Sequence, residues 1–275
     1  MSTRIPSLLE PYLSLPPEAS LILLTSVLGA SSNWLVIRFI YSALQGQDAP
    51  PEQGDTKVLL VSFMRDLNFW KENARRLGLD LDKLATKKRF AFVDGLSGLY
   101  LPAQGSAPVR AGQKVLSDPD LTAISKEIQH AIEMYSQDGA SRILLVIDQL
   151  DLLLATGGDR VSAVEIEEML MGMREHVHAT VLTLSADSSL VSSQQTPLES
   201  NHAAALLGVA HTADFIMSLR LLDSGTARDV SGVVRITVGN QESITDQRAG
   251  GKMEQKELLY FIGGDGGVKV FERGQ

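Results

Sequence analysis

The 275-residue chain contains no cysteine, and its basic residues are outnumbered, with 25 Lys and Arg against 33 Asp and Glu. The absence of cysteine excludes disulfide bonds, thiolate zinc sites and a cysteine nucleophile, and it favours a reducing compartment. The net charge of −8 argues against a protein that binds nucleic acid alone, because phosphate contacts need clustered Lys and Arg. A share in a composite basic surface stays open.

Charged residues are also absent from positions 19–37. A stretch of this kind indicates either a membrane anchor or a buried strand followed by a buried helix. In an anchor, Ser31, Ser32 and Asn33 would lie in hydrocarbon, Arg38 follows at once, and no basic segment precedes the stretch. The strand and helix are therefore preferred, and no membrane anchor is predicted.

The same stretch has the outline of a phosphate-binding loop without the residues that bind phosphate. An apolar run at 21–24 enters the small-residue loop TSVLGASSN, and an apolar helix follows from Trp34. A working loop reads G-x-x-x-x-G-K-[ST], in which glycines let the backbone approach phosphate, Lys reaches the β/γ-phosphates and the hydroxyl holds Mg²⁺. With the loop aligned on Gly29, the glycine, glycine, Lys and hydroxyl positions hold Ser26, Ser31, Ser32 and Asn33. No bound nucleotide and no cofactor are expected here.

Strands and helices alternate through most of the chain. Apolar runs predict strands at 57–63, 89–96, 143–147 and 180–184. Helices are predicted between them, one starting at Asp118-Pro119 and one capped by Ser162 and Glu165. The apolar helix faces are expected to bury Trp34 and Trp70. Loops are predicted at 45–54, 102–117 and 185–200.

Beyond position 214 the pattern changes to short strands with turns between them, at 215–222, 233–238, 258–262 and 268–271. The chain is therefore predicted to have an α/β fold, a mostly parallel twisted sheet flanked by helices and extended by C-terminal antiparallel strands. We predict a single domain over 1–275. It comprises an N-terminal extension at 1–18, an α/β core at 19–214 and an antiparallel β extension at 215–275.

Two further positions bear on nucleotide chemistry. Asp148 ends the strand ILLVID in the manner of a Walker B motif, although any buried parallel strand can end in Asp beside a polar loop. Met64 in VSFM occupies the place of the catalytic Glu in the pattern V-[ST]-F-E, and a thioether cannot accept a proton. No catalytic residue is therefore predicted. His176 and His178 have no third ligand in register, so no metal site is predicted either.

The segments TSVLGASSNWL, VSFMRDLNFWKENARRLGLDL, RFAFVDGLSGLY and LLVIDQLDLLLA together resemble the sixth-subunit family of the Elongator complex. The resemblance runs roughly from Pro6 to Phe261. It implies a RecA-like P-loop NTPase fold whose Walker motifs no longer work. It also implies that two related RecA-like subunits join this chain, two copies each, in a hetero-hexameric ring that binds tRNA. The ring assists larger Elongator subunits in modifying the wobble uridine, in the cytoplasm and, as a second location, the nucleus.

In RecA-like rings, the loops after the fourth and fifth strands face the central pore and touch nucleic acid. Here they are 150–161 and 185–200. The first loop offers Arg160 as an RNA contact. The second has no Lys or Arg and offers only hydroxyl and amide groups, which supply hydrogen bonds without electrostatic attraction. Its candidate contacts are Ser188, Ser189, Ser192, Ser193, Gln194 and Gln195.

The leading interpretation is a non-catalytic ring subunit whose edge strands, and the helices beside its degenerate loop, form contacts with its neighbours. One alternative is a divergent NTPase or nucleotide-dependent enzyme completed in trans by a neighbouring subunit. Another is a RecA-like paralogue that serves DNA recombination, which predicts basic pore loops that this chain lacks. The run Lys87-Lys88-Arg89 is interpreted as a solvated helix end.

Overall fold

A computed structural model describes residues 4–45, 56–101, 112–136, 142–223, 225, 227–239 and 254–273. The predicted loop at 45–54 and most of the one at 102–117 lie outside these residues, apart from Gln45 and positions 112–117. Within the described part of the chain, no helix is long and apolar enough to cross a membrane.

The strands of the described residues form one sheet in the order β10-β9-β8-β7-β1-β6-β5-β2-β3-β4. From β7 to β4 every pairing is parallel, and from β7 to β10 every pairing is antiparallel. The predicted fold class is confirmed. The strands are β1 (Ser20–Ser26), β2 (Thr56–Ser62), β3 (Phe90–Asp94), β4 (Gln113–Val115), β5 (Arg142–Asp148), β6 (Ala179–Ser185), β7 (Phe215–Arg220), β8 (Gly232–Val238), β9 (Lys256–Ile262) and β10 (Val268–Phe271).

The helices occupy both faces of this sheet. They are α1 (Glu10–Leu13), α2 (Asn33–Gln45), α3 (Leu67–Arg76), α4 (Leu81–Thr86), α5 (Ser97–Tyr100), α6 (Leu121–Ser136), α7 (Leu152–Gly157), α8 (Ala163–Arg174), α9 (Ser188–Val191) and α10 (Pro197–Thr212). Capping fixes several starts. The predicted capping box of Ser162 and Glu165 begins α8, and Asp66 accepts a hydrogen bond from the Phe69 N–H at 2.9 Å to begin α3.

Four sequence predictions need correction. The antiparallel extension does not start at 215, because β7 pairs in parallel with β1, Ile22 opposite Phe215, and only β8 reverses direction. The predicted loops at 102–117 and 185–200 contain β4, α9 and the start of α10. α6 starts at Leu121 rather than at Pro119, because the Asp120 carboxylate accepts the Ala123 N–H at 3.1 Å. Arg89 is buried and donates to the Thr56 carbonyl at 3.5 Å, so it is not part of a solvated helix end.

Hydrophobic cores lie on both faces of the sheet, which explains why its strands are continuous apolar runs. Successive side chains of a strand point to opposite faces. In β1, Ile22 and Leu24 join the core beneath α2, α3 and α4, and Leu21 and Leu23 join the core beneath α6, α8 and α10. Within stretch 19–37, β1 and the first turns of α2 from Trp34 are therefore buried, as the strand-and-helix interpretation required, and the loop between them carries exposed residues. Trp34 and Trp70 are buried, as predicted.

Candidate functional site

The loop between β1 and α2 is a closed turn. Val27 and Ala30 form an antiparallel bridge, and the Ala30 N–H donates to the Val27 carbonyl at 2.9 Å. Gly29 has φ +89°, a left-handed conformation that favours glycine, and a Cβ there would lie 3.4 Å from the Leu221 side chain. Because Val27 and Ala30 close this turn on each other, its backbone does not form the open loop that surrounds a phosphate.

A carboxylate of the chain occupies one backbone donor of this turn. The Leu28 N–H donates to Asp187 Oδ1 at 2.8 Å, and the neighbouring Ala186 N–H donates to the Ser26 carbonyl at 2.8 Å. These two bonds attach the segment after β6 to the turn after β1. The negative charge of Asp187 at this place would repel a phosphate group. The sequence prediction did not include Asp187, which lies 159 positions away from Leu28 along the chain.

The remaining residues of the degenerate loop serve the backbone. Ser26 ends β1, and the Ser31 Oγ accepts the Asn33 N–H at 3.3 Å. The Ser32 carbonyl accepts the N–H groups of Leu35 and Val36 in the first turn of α2. Ser32, at the position of the missing Lys, is buried. The structure thus brings the predicted positions together at one sheet edge, but they bond to the chain itself.

Asp148 is fully buried at the end of β5, between β2 and β6. Its Oδ2 accepts from the Ser62 hydroxyl at 2.8 Å, and its Oδ1 accepts from the Thr183 hydroxyl at 3.2 Å. Burial raises the pKa of Asp148 to about 6, although these hydrogen bonds and the charge of Arg65 act to lower it. The carboxyl group therefore joins three strands, and both of its oxygens are engaged.

In the segment after β2, Met64 lies where the pattern V-[ST]-F-E would place a carboxylate. Arg65, beside it, is directed onto the chain itself: its Nη1 donates to the Met64 carbonyl at 3.1 Å and its guanidinium lies 5.3 Å from the Phe69 ring centroid. The Arg65 N–H also donates to the Ser62 hydroxyl at 3.1 Å. Arg65 therefore supports the polar cluster around Asp148.

A polar network that the sequence prediction missed continues from Asp148 towards Asp187. Gln149, in a left-handed conformation with φ +56°, donates its N–H to the Thr183 hydroxyl at 2.8 Å and accepts from the Ser185 hydroxyl at 3.0 Å. The Asp151 Oδ2 accepts the Ser185 N–H at 3.1 Å. His202 Nε2 lies 2.8 Å from the Ser185 carbonyl, so this nitrogen carries a proton. Together these bonds fix the ends of β5 and β6 to each other.

The RNA-contact candidates lie on the same edge of the sheet, because β5 and β6 are parallel neighbours. Arg160 ends an exposed 3₁₀ turn at Gly158–Arg160, and the six polar candidates of the second loop are exposed. Ser188 and Ser189 begin α9, and the other four connect α9 to α10. Two of the candidates already donate hydrogen bonds within the loop. Gln194 Nε2 donates to the Val191 carbonyl at 3.1 Å, and the Ser188 hydroxyl donates to the Ser192 hydroxyl at 3.4 Å. RNA contact by these residues stays a prediction.

Comparisons with known proteins show the fold and the family of the chain. A KaiC-like protein from the hyperthermophilic archaeon Pyrococcus horikoshii has a similar structure, with a TM-score of 0.59 at 16% identity over 98% of this chain and 97% of that one. This likeness shows the fold. An Elongator complex protein 6 homolog from Schizosaccharomyces pombe is 23% identical over 269 residues, 98% of this chain and 97% of that protein. Residues 8–261 match the family described as Elongation complex protein 6, and the chain therefore belongs to that family.

Proposed function

We propose that this chain is a non-catalytic subunit of a hetero-hexameric ring, formed with two related RecA-like Elongator subunits. The ring supports tRNA binding and modification of the wobble uridine by larger subunits. The closed turn between β1 and α2 carries the proposal. In this turn the Ala30 N–H donates to the Val27 carbonyl, and the Asp187 carboxylate accepts from the Leu28 N–H. The proposed place of action is the cytoplasm, with the nucleus as a second location.

The electrostatics of the sheet edge support a role without nucleotide chemistry. Phosphoryl transfer needs cations that neutralise the developing charge and a residue that orients the attacking group. The Lys position holds the buried Ser32, and Met64 replaces the carboxylate. Asp148 is fully buried, with a pKa raised to about 6, and both of its oxygens accept hydroxyl hydrogens from Ser62 and Thr183. Because Asp148 is fully buried, a Mg²⁺ ion could reach it only after the surrounding side chains moved.

The turn itself is suited to contact a neighbouring subunit. Leu28 at its tip is 87% exposed, and the Leu221 side chain beside Gly29 is also exposed. The bridge between Val27 and Ala30 and the bond to Asp187 hold Leu28 in place before any partner arrives. Because the backbone of this turn is already fixed, binding would restrict only the rotamers of the Leu28 side chain, which favours it as an interface anchor.

The proposed contribution to tRNA binding is positional. Arg160 supplies one cation at the pore-facing edge, and the exposed hydroxyl and amide groups of the second loop supply hydrogen bonds to phosphate and sugar. Most of the electrostatic attraction would then come from the partner subunits, because no Lys or Arg lies between Arg174 and Arg220.

The test uses the ring reconstituted from this chain and its two partner subunits. Asp148→Asn keeps the shape of the side chain and removes its charge, so we expect unchanged assembly mass and unchanged nucleotide turnover. Arg160→Ala should weaken tRNA binding and reduce its salt dependence. Arg75→Ala, in the last turn of α3, is the charge-matched control. A loss of turnover in an intact Asp148→Asn ring would establish the alternative, an NTPase completed in trans.

A further inference from the structure

The outer surface of α8 and α10 combines large exposed apolar side chains with carboxylates. Val164 and Met171 on α8 are each 63% exposed, and Leu207 on α10 is 52% exposed. Val164, Glu168 and Met171 follow each other at spacings of four and three residues, so they share one face of α8. The two apolar residues lie two helical turns apart, about 10 Å along the axis.

The two helices pack closely enough to form one surface. Gly208 of α10 lies against Glu167 of α8, where an added Cβ would meet the carboxylate. Leu207 precedes Gly208 in the same turn of α10, and this turn packs against the turn of α8 that carries Glu167. We call the residues Val164, Glu165, Glu168, Met171 and Leu207 the α8–α10 surface.

The α8–α10 surface is negative and has no compensating cation on its own helices. α8 contains three Glu, and α10 contains no Lys or Arg. The cation of α8, Arg174, is turned away from this surface: its Nη2 donates to the Ala19 carbonyl at 3.1 Å, and burial lowers its pKa. Glu165 and Glu168 are exposed, and so is Glu175 at the C-terminal end of the helix.

We propose that the α8–α10 surface binds a basic amphipathic helix of a partner protein. The apolar side chains match the i, i+4 and i+7 anchors of a docking helix, and the carboxylates match flanking Lys or Arg. A second copy of this chain would bring like charges together, and RNA or an anionic lipid surface would be repelled for the same reason. The proposal is independent of the ring contact at Leu28, which lies on a loop at the sheet edge.

The first experiment measures binding of a synthetic helical peptide of leucine, lysine and alanine, with its leucines at this spacing, to the full chain by fluorescence anisotropy. Met171→Ser should weaken binding about tenfold, as expected for a central apolar anchor. Glu168→Gln should weaken it less and reduce the salt dependence. Ile262→Ser on β9 and Glu272→Gln are the controls, with matched loss of an exposed apolar group and of one negative charge.

Two results of this titration would overturn the proposal. In the first, a peptide with glutamate in place of lysine binds equally well. In the second, the Met171 and Ile262 variants bind alike, which would show attraction to net charge only. In the assembled complex, a photo-crosslinking residue at position 171 should join a partner segment with Lys or Arg around an apolar stripe. Crosslinks to RNA, to another copy of this chain or to no segment at all would also contradict it.

Discussion

Replacing Asp148 by Asn should make stability depend differently on pH. The pKa of this buried carboxyl group is raised from 3.8 to about 6, a difference of about 2.2 units. One unit corresponds to about 1.4 kcal/mol, so the ionised group costs the folded state about 3 kcal/mol at neutral pH. Asn removes that cost. Asn also has one acceptor oxygen fewer than Asp, so its NH₂ group would face one of the two hydroxyls. The Thr183 hydroxyl oxygen already accepts from Gln149, so the NH₂ group would find no free acceptor there.

The direction of the pH dependence follows from proton binding. Because the folded pKa is raised, the native carboxyl group keeps its proton over a range in which the unfolded chain has lost it. Its stabilising contribution is complete below about pH 4 and is lost as the pH rises through 6. The lost hydrogen bond costs Asn about 1 kcal/mol at every pH. Asp148→Asn should therefore be about 1 kcal/mol less stable than the wild type at pH 4 and about 2 kcal/mol more stable at pH 7.

Urea unfolding of both proteins at several pH values between 4 and 8 measures this crossing directly. The slope with urea should be unchanged, which confirms that only the free energy of unfolding differs. Thr183→Val, which removes a hydroxyl donor but keeps the carboxylate, is the control and should be destabilised across the whole range, most strongly at high pH. Parallel stability curves for the wild type and Asp148→Asn would refute the reasoning, because they would mean that the carboxyl group titrates alike in the folded and unfolded chains.

Two further predictions concern the core beneath α2 and α3. Arg38 is 1% exposed, and burial lowers its pKa to about 10. Its Nη1 donates to the Trp34 carbonyl at 2.7 Å, whereas its Nε and Nη2 have no hydrogen-bond partner among the described residues. Arg38→Met should raise the free energy of unfolding by about 1–2 kcal/mol, because Met fills the volume without the charge. Arg38→Ala should lower it, because it leaves a cavity. A destabilised Arg38→Met protein in urea unfolding would contradict this. Trp70→Ala should cost about 3–5 kcal/mol, since its ring is fully buried in the same core, and Trp34→Ala should fall in the same range; unchanged urea midpoints would show that these helix faces are misplaced.

Much of the parallel sheet could be predicted because strands such as β1, β2 and β3 are buried on both faces and are therefore continuous apolar runs. α10 was harder to predict, because the small residues Ala203 and Ala205 are buried while the larger Leu207 is exposed. Its apolar periodicity is therefore weak. The direction of β7 depends on that helix. A helix between β6 and β7 carries the chain back across the sheet, and without it an antiparallel strand is the natural expectation.

The candidate site was predictable by position and not by bonding. Short sequence motifs located Ser32, Met64 and Asp148, because the place of each motif in the fold is known. They did not predict that the Leu28 N–H bonds to Asp187, or that Ser62 and Thr183 share the Asp148 carboxylate. Those contacts join residues between 35 and 159 positions apart, and only the order of strands in the sheet brings them together.

The internal bonding of this edge bears on whether one substitution could equip it for nucleotide chemistry. In a phosphate-binding loop, backbone donors and a carboxylate are left for the ligand and its metal ion. Here the Leu28 N–H donates to Asp187, and the Ser185 N–H donates to Asp151. The Asp148 carboxylate accepts from two hydroxyls. A lysine introduced at Ser32 would restore one charge at a buried position and would leave all of these groups engaged. The edge is thus a self-contained polar structure, which agrees with the proposed role of its turn as a subunit contact.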